Sequence, residues 1–317
     1  MKKSIKTMAL FVCLLSSLLA NSQTKNIYKG YFNFYVANDL GRNGYYQQKP
    51  IAELMGTMAE ESVSPEFVVA VGDVHHFLGV RSIDDPLWLT NYEQIYSHPE
   101  LMLPWFPILG NHEYRGNTQA CMDYSYKSMR WQMPSRYYTK VFEVKGSTLR
   151  IVFIDTTPLI SKYRLHKEFY PDAYQQDDRV QLNWLDSILD TAKEDWIIVM
   201  GHHPVYAETP KDEVERTDMQ NSVGKILKKH NNVNMYINGH IHNFQHIKYQ
   251  DCKTEFVTNS SASLSRKVKA IEGTVFCSSK AGFSIVSVND KELILRMIDD
   301  KGEIIHEVKS TTKNTKK

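Results

Sequence analysis

Short apolar, β-branched runs recur along the chain, and each stops at a polar cluster. Tyr31–Ala37 (YFNFYVA) stops at Asn38-Asp39, Glu66–Val71 (EFVVAV) at Gly72-Asp73, and Trp105–Leu109 at Gly110-Asn111-His112. Leu149–Ile154 (LRIVFI) stops at Asp155, Trp196–Met200 (WIIVM) at Gly201-His202-His203, and Asn234–Ile237 at Asn238-Gly239-His240. Runs of this length, bounded by glycine and polar residues, predict buried strands. Helical stretches lie between several of them. Ile51–Glu61 is one; Arg179–Ala192 is another, with Val180, Trp184, Leu185 and Ile188 on one stripe. Strands alternating with helices predict an α/β layered fold. Past residue 250 the pattern becomes strand and turn only. Phe283–Val288, Leu293–Ile298 and Ile304–Val308 predict antiparallel strands joined at Asn289-Asp290 and Lys301-Gly302.

The ends of the chain read differently. Lys2, Lys3 and Lys6 precede an apolar run from Met8 to Ala20, and Ala20-Asn21-Ser22 offers small residues for cleavage. Residues 1–22 therefore predict a secretory signal, with export to a periplasm or outside the cell. Val12 stands before Cys13 where a lipidation site wants a small residue. Residues 23–308 form one expected domain, and the lysine-rich stretch 309–317 is expected to be a frayed tail. Cys121, Cys252 and Cys277 remain after cleavage. Export permits disulfides, Cys252 with Cys277 is the favoured pair, and an odd thiol is left over. Asn259-Ser260-Ser261 matches a glycosylation acceptor.

The 317 residues carry 38 Lys+Arg and 36 Asp+Glu, with 42% hydrophobic and 23% charged positions. That is a globular balance, which excludes a disordered or fibrous chain. Without the three leader lysines the balance is near neutral. A nucleic-acid or membrane-surface binder needs a basic excess, so neither is expected as a partner.

The polar clusters hold the chemistry. Each lies just past the carboxyl end of a predicted strand, where open α/β sheets place their sites. Seven of the twelve histidines fall in them: His75, His76, His112, His202, His203, His240 and His242. His98, His166, His230, His246 and His306 lie elsewhere and read as surface or loop residues. With Asp39, Asp73 and Asn111, the clusters offer oxygen and imidazole donors but no Cys-x-x-Cys thiolates. Such a set suits Zn, Fe, Mn or Ni. Carboxylates can bridge two cations, and two adjacent cations can clamp a phosphoryl group. Strand-end aspartates are also common turn and cap residues, so no single one of them decides the matter.

In order, Gly72-Asp73, Gly110-Asn111-His112-Glu113, Gly201-His202 and Gly239-His240-Ile241-His242 resemble the motifs of the calcineurin-like metallophosphoesterases. The likeness extends to the small, tartrate-resistant type of purple acid phosphatase. Asn38-Asp39-Leu40-Gly41 resembles the Gly-Asp-x-Gly opening of that group, and GVRSIDDPLW, LGNHEYRGNTQA and RWQMPSRYY are also similar to it. The resemblance covers roughly residues 31–310. It implies a four-layer α/β/β/α metallophosphoesterase sandwich and a metal-dependent phosphoric ester hydrolase acting on a small phosphorylated substrate. Asp39 and His242 would hold the first metal, Asn111, His202 and His240 the second, and Asp73 would bridge them. A hydroxide held by the metals would attack phosphorus, with His112 as acid or oxyanion donor and Glu113 nearby. Phosphate monoesters are the leading substrates. A phosphodiesterase or nucleotidase would use the same core, and a non-catalytic phospho-ligand binder is the alternative from another class.

Three positions depart from the resemblance. The tyrosine that binds ferric iron in the purple enzymes is replaced by His76, within Gly72-Asp73-Val74-His75-His76. A neutral imidazole supports a trivalent ion less well than a phenolate, so the expected cofactors are two divalent ions (Fe, Zn or Mn) and the protein is not purple. Asn38 stands for the first glycine of the opening motif. Lys211 stands where the small enzymes carry a further active-site histidine, which shifts leaving-group protonation onto His112 and makes the pH optimum less acidic. Arg115, His203 and Lys211 are the candidate substrate contacts. His203 also reads as a support residue, and His76 is preferred over His75 on register.

Overall fold

The apolar runs become strands because each is buried on both faces. Val68–Val71, Trp196–Gly201 and Gly282–Val288 are buried at every position, as expected for strands covered by another sheet on one side and helices on the other. The structure, a computed structural model, describes residues 27–210 and 213–311. The expected signal segment 1–22, Lys211 and residues 312–317 lie outside the described residues.

In chain order the strands are β1 (Phe32–Ala37), β2 (Val68–Val71), β3 (Trp105–Ile108), β4 (Tyr138–Val144), β5 (Ser147–Ile154), β6 (Trp196–Gly201) and β7 (Met235–Asn238). They continue with β8 (Phe244–Ile247), β9 (Glu255–Thr258), β10 (Thr274–Ser278), β11 (Gly282–Val288), β12 (Glu292–Asp299) and β13 (Ile304–Thr311). One sheet has the order β13-β12-β11-β1-β2-β3 and the other β10-β8-β9-β7-β6-β5-β4. Within the first, β1, β2 and β3 are parallel; within the second, β5, β6, β7 and β9 are parallel. The parallel strands of each sheet deliver their carboxyl ends to one edge, where the polar clusters lie.

The sheets face each other across an aromatic seam. Phe32 of β1 meets Phe142 of β4 at 5.8 Å between ring centroids, and Phe106 of β3 meets Phe153 of β5 at 6.3 Å. Helices cover the outer faces. Gln48–Met58 lies against the first sheet, with the Tyr35 hydroxyl donating to the Met55 carbonyl at 3.0 Å. Asp178–Thr191 lies against the second. It starts at Asp177, whose carboxylate accepts from Arg179 N, and Gln181 bonds both ways with the Asp155 backbone. The architecture is the expected α/β sandwich of two sheets between helices.

Several local expectations are corrected. Of the stripe expected on Asp178–Thr191, Leu185 is buried and Trp184 and Ile188 pack partly buried against the core, joined by Gln181 and Leu189, whereas Val180 is 55% exposed. Val180 lies in the first turn and points off the contact face. β13 runs through Lys309, Ser310 and Thr311, which pair with Ile294, Leu293 and Glu292, so the strand extends past residue 308. Cys121, Cys252 and Cys277 are free thiols; Cys252 Sγ approaches the Leu227 carbonyl instead of Cys277. Asn259 is buried, with its amide donated to Val36 O and Asn38 Oδ1, so it is no glycan acceptor. His246 and His230 are buried rather than superficial because carboxylates satisfy them: Glu255 lies 2.7 Å from His246 Nε2, and Asp186 lies 2.7 Å from His230 Nε2.

Candidate metal centre

The strand ends bring Asp39 (after β1), Asp73 (after β2), Asn111 and His112 (after β3), His202 (after β6) and His240 and His242 (after β7) into one cluster. Asp39, Asp73, His202, His240 and His242 are almost wholly buried. Three sets of donor atoms each lie within 4.8 Å of one another: Asp39, His76 and His242; Asp39, Asp73 and His202; and Asp73, His76 and His112. A fourth set joins His202 and His240 to His203.

Asp73 Oδ2 is the hub. His202 Nε2 lies 3.1 Å from it, His76 Nε2 3.5 Å and His112 Nε2 3.8 Å. Its other oxygen accepts from the His112 backbone at 2.9 Å. On the flank, His242 Nε2 lies 3.0 Å from Asp39 Oδ1. Asp39 Oδ2 is held by the His240 backbone N–H at 2.8 Å and the Asn38 side-chain amide at 2.6 Å.

The backbone is bent to reach this arrangement. Asp39 (φ 51), Asp73 (φ 53), His240 (φ 75) and His242 (φ 58) all occupy the left-handed region. Such conformations are costly for non-glycine residues and gather at functional sites. Gly110 is required nearby, since a Cβ there would lie 2.2 Å from Asp73 Oδ1. Glu113 locks the two loops together: its carboxylate accepts from the backbones of Asp73 (2.8 Å), Gly110 (2.8 Å) and His75 (3.0 Å). Burial first, then the Asp73 charge, pushes the Glu113 pKa up to about 7, against the Gly110 and His75 backbone donors and the His202 charge.

The imidazoles are oriented from behind. His202 Nδ1 contacts Val71 O at 2.8 Å, His242 Nδ1 contacts Leu264 O at 2.8 Å, and His112 Nδ1 contacts Phe77 O at 2.7 Å. His240 contacts Glu215 Oε2 through Nε2 at 2.9 Å and turns Nδ1 towards His202 Nε2 at 3.2 Å. A carbonyl can only accept, so in the neutral ring Nδ1 carries the proton and Nε2 presents a lone pair. In His202 and His242 that lone pair then faces a carboxylate oxygen, an arrangement that needs a proton or a cation between the two. Burial alone would lower the His202 pKa, but Asp73, Asp39 and the Val71 carbonyl push it up to about 9. Asp39 is drawn far below the usual carboxylate range by His242 and His202 despite its burial. Both shifts record a pocket with a strong demand for positive charge.

The donors fit metal cations on a second ground. Buried polar atoms are nearly always hydrogen-bonded. Here Asn111 Oδ1 and both ring nitrogens of His76 are buried without a hydrogen-bond partner. Nitrogen and oxygen donors without thiolate match Zn, Mn or Fe.

The remaining predicted residues divide. His75 packs edge-on against Trp88 at 4.5 Å, away from the hub, and burial pulls its pKa down to about 3. His203 is buried beside His202 and His240, with Nδ1 2.8 Å from Thr156 Oγ1 and Nε2 3.2 Å from Tyr163 OH. Arg115 is half-buried at the rim, its guanidinium on Tyr170 OH at 3.0 Å. Lys211 lies outside the described residues. Glu215 was missed by sequence reasoning. It comes from the helix Glu213–Met219 and carried no motif, and its link to His240 exists only in three dimensions.

Comparison with known proteins identifies the family. The calcineurin-like phosphoesterase family model matches residues 32–244. Purple acid phosphatase 3 of Arabidopsis thaliana is 31% identical over 94% of this chain and 82% of its own length. Tartrate-resistant acid phosphatase type 5 of Homo sapiens is 28% identical over 75% and 77%. Among solved structures, GAP50, described as the anchor in the inner membrane complex of Plasmodium, superposes with a TM-score of 0.73 at 25% identity, over 90% of each chain. A purple acid phosphatase from yellow lupin seeds shares the fold, with a TM-score of 0.61 at 13% identity over 89% of this chain and 54% of its own. The chain thus belongs to the calcineurin-like phosphoesterases, a family of metal-dependent phosphoric ester hydrolases, and stands among the relatives of the purple acid phosphatases.

Proposed function

We propose that the protein is an exported phosphatase that hydrolyses phosphate monoesters with two divalent metal ions. The observation that carries the proposal is the convergence of His202, His76 and His112 on Asp73 Oδ2, beside buried donors of His76 and Asn111 that have no hydrogen-bond partner. Asp39, His76 and His242 would hold one ion, Asn111, His202 and His240 the other, and Asp73 would serve both. When bound, such a pair neutralises charge on the transferring phosphoryl group and supplies a nucleophile near neutral pH.

The chain's own groups do the rest. His112 directs Nε2 into the centre, because Phe77 O holds Nδ1. With its second proton, Nε2 donates to a phosphoryl or leaving-group oxygen. Burial lowers the His112 pKa while Asp73 raises it, so that donation belongs to the acidic side of the pH range. Glu113 keeps the Asp73 and Asn111 loops in register, and Glu215 fixes the His240 ring. Both act through ligands, a role whose loss weakens metal sites. Export rests on the signal-like residues 1–22.

A second reading, a protein that holds a phosphorylated ligand without turnover, draws on the likeness to GAP50, described as an anchor. The test is hydrolysis of an aryl phosphate and of the matching bis-aryl phosphate with Mn, Zn, Fe or chelator, from acidic to alkaline pH. Metal-dependent turnover of the monoester is expected, lost in His112→Ala. Preference for the diester would transfer the reading to a phosphodiesterase. Absence of turnover in a folded, metal-loaded protein would transfer it to the ligand-holding protein.

A further inference from the structure

The ring of His112 is aimed by a carbonyl on a neighbouring loop. Its Nδ1 lies 2.7 Å from Phe77 O. The direction of that carbonyl decides the tilt of the ring, and so where Nε2 points. Yet the side chains flanking this peptide group give it little hold: Phe77 is 64% exposed and Leu78 69%. Backbone packing fastens the loop further on. A Cβ at Gly79 (φ 66) would lie 2.9 Å from His112 O, one at Gly116 would lie 2.7 Å from Leu78 O, and Asn117 N donates to Val80 O at 2.7 Å. Those contacts hold the loop from Leu78 onwards.

Phe77 O receives a second donor, from Arg115. This residue ends the turn Glu113–Arg115, and its backbone N–H donates to His112 O at 3.2 Å. Its Nη1 reaches Phe77 O at 3.5 Å. Its Nε and Nη2 both donate to Tyr170 OH, at 3.3 and 3.0 Å, with the guanidinium 5.5 Å from the Tyr170 ring centroid. All three guanidinium nitrogens are therefore engaged with protein oxygens, in the directional manner of a rigid fork. The mooring is firm. Tyr170 is buried and packs edge-on against Tyr163 at 4.8 Å. Tyr163 OH donates at 2.8 Å to Glu215, the carboxylate that meets His240. Arg115 thus spans the gap between the wall behind His240 and the carbonyl that aims His112.

We propose that Arg115 is a positioning residue for His112. Moored on Tyr170, it shares Phe77 O with the His112 ring and keeps that carbonyl, and with it Nε2, directed into the centre. It acts through His112 and not on the substrate. The inference rests on the phosphatase reading for its effect on turnover, although not for its effect on the ring.

The test measures kcat and KM of the metal-loaded protein for aryl phosphates whose phenols differ in acidity. The native protein is compared with Arg115→Met, Arg115→Lys, Tyr170→Phe, His112→Ala and the double variant of Arg115→Met with His112→Ala. Arg115→Met is expected to lower kcat about tenfold or more with KM little changed, since a displaced acid costs the transition state and not substrate binding. Its loss should vary with the phenol as the loss in His112→Ala does. In the double variant it should vanish, because no ring is left to position. Arg115→Lys, which keeps the charge without the fork, should recover only part. Tyr170→Phe, which removes one oxygen and keeps the ring, should lose a smaller factor in kcat; it carries the test if Arg115→Met does not fold. Nitrogen-15 NMR of the zinc-loaded protein reads the ring itself. The His112 Nδ1–H proton should be observed in the native protein and exchange with water in Arg115→Met. A rise in KM at unchanged kcat, a loss that persists in the double variant, or an Nδ1–H signal indifferent to Arg115 overturns the proposal. If the native protein turns over none of the esters, the phosphatase reading fails, and the Nδ1–H signal decides whether Arg115 holds the ring.

Discussion

The side-chain amide of Asn38 donates to Oδ2 of Asp39 at 2.6 Å, and Asn38 is the residue that replaces a glycine of the related motif. Behind it, Asn259 donates to Asn38 Oδ1 at 2.6 Å, and the Ser284 hydroxyl donates to Asn259 Oδ1 at 2.7 Å. The chain Ser284–Asn259–Asn38 fixes which way the Asn38 amide faces, and so holds one oxygen of Asp39 while Oδ1 faces His242. Asn38→Ala removes one of the two donors on Oδ2. Metal affinity, measured by competition with a chelator, is expected to fall about tenfold or more, as when other groups that orient metal ligands are lost. Unchanged affinity would leave Asn38 as a turn residue only.

Among the described residues, neither ring nitrogen of the candidate ligand His76 has a hydrogen-bond partner. In the related motif this position is tyrosine. Iron-loaded native protein is expected to lack the visible charge-transfer band of a tyrosinate–iron pair, and His76→Tyr to gain it. A band in the native protein would place one of its tyrosines on the iron and remove His76 from the site.

Asp155 follows the end of β5 and takes a backbone hydrogen bond from Thr157 of the following turn, and its buried carboxyl also accepts from the Tyr114 hydroxyl. Burial pushes its pKa from 3.8 up to about 7, against the Tyr114 bond and the Arg136 charge. A raised carboxyl pKa means that the folded chain binds the proton more tightly than the unfolded one. Its contribution is therefore complete below pH 3.8 and is lost as pH rises through about 7. Asp155→Asn removes that dependence. The stability difference between native and variant should shift by on the order of 4 kcal/mol across this interval, in favour of the variant as pH rises. Denaturant unfolding of both proteins at several pH values reads the shift, and a flat difference would contradict it.

The corrected helix face gives a contrast within one element. Leu189 is fully buried and Val180 is largely exposed. Leu189→Ala should cost about 2–5 kcal/mol of unfolding free energy. Val180→Ala should stay within about 0.5 kcal/mol. Equal costs would restore the stripe drawn from sequence.

What the sequence made legible follows from burial. β1, β2, β3, β6 and β7 are almost fully buried, so apart from Asn33 and the terminal Asn238 their sequences are apolar runs, and the glycine and polar residues after them mark where the site begins. β4 and β10 lack such a run, because most of their residues are partly or wholly exposed. In β8, His246 is buried and satisfied by Glu255 of the adjacent β9 and by His306 of β13 in the other sheet. The left-handed backbone of Asp39, Asp73, His240 and His242 leaves only a weak trace in residue type, since aspartate and histidine adopt it more readily than most residues without requiring it. Glu113 was visible as a neighbour of His112, but its task of holding three backbone N–H groups was not. Glu215 depends on where its helix docks, which no local pattern records.

The central claim is a two-ion centre built around Asp73. Its most direct test is a metal titration of the ion-free protein, with bound ions counted per chain and aryl phosphate hydrolysis followed at each point. Two equivalents are expected to bind, activity to rise with the second, and Asp73→Asn to lose both the second equivalent and the activity. Full activity with one equivalent or none, or undiminished binding and turnover in Asp73→Asn, would contradict the account.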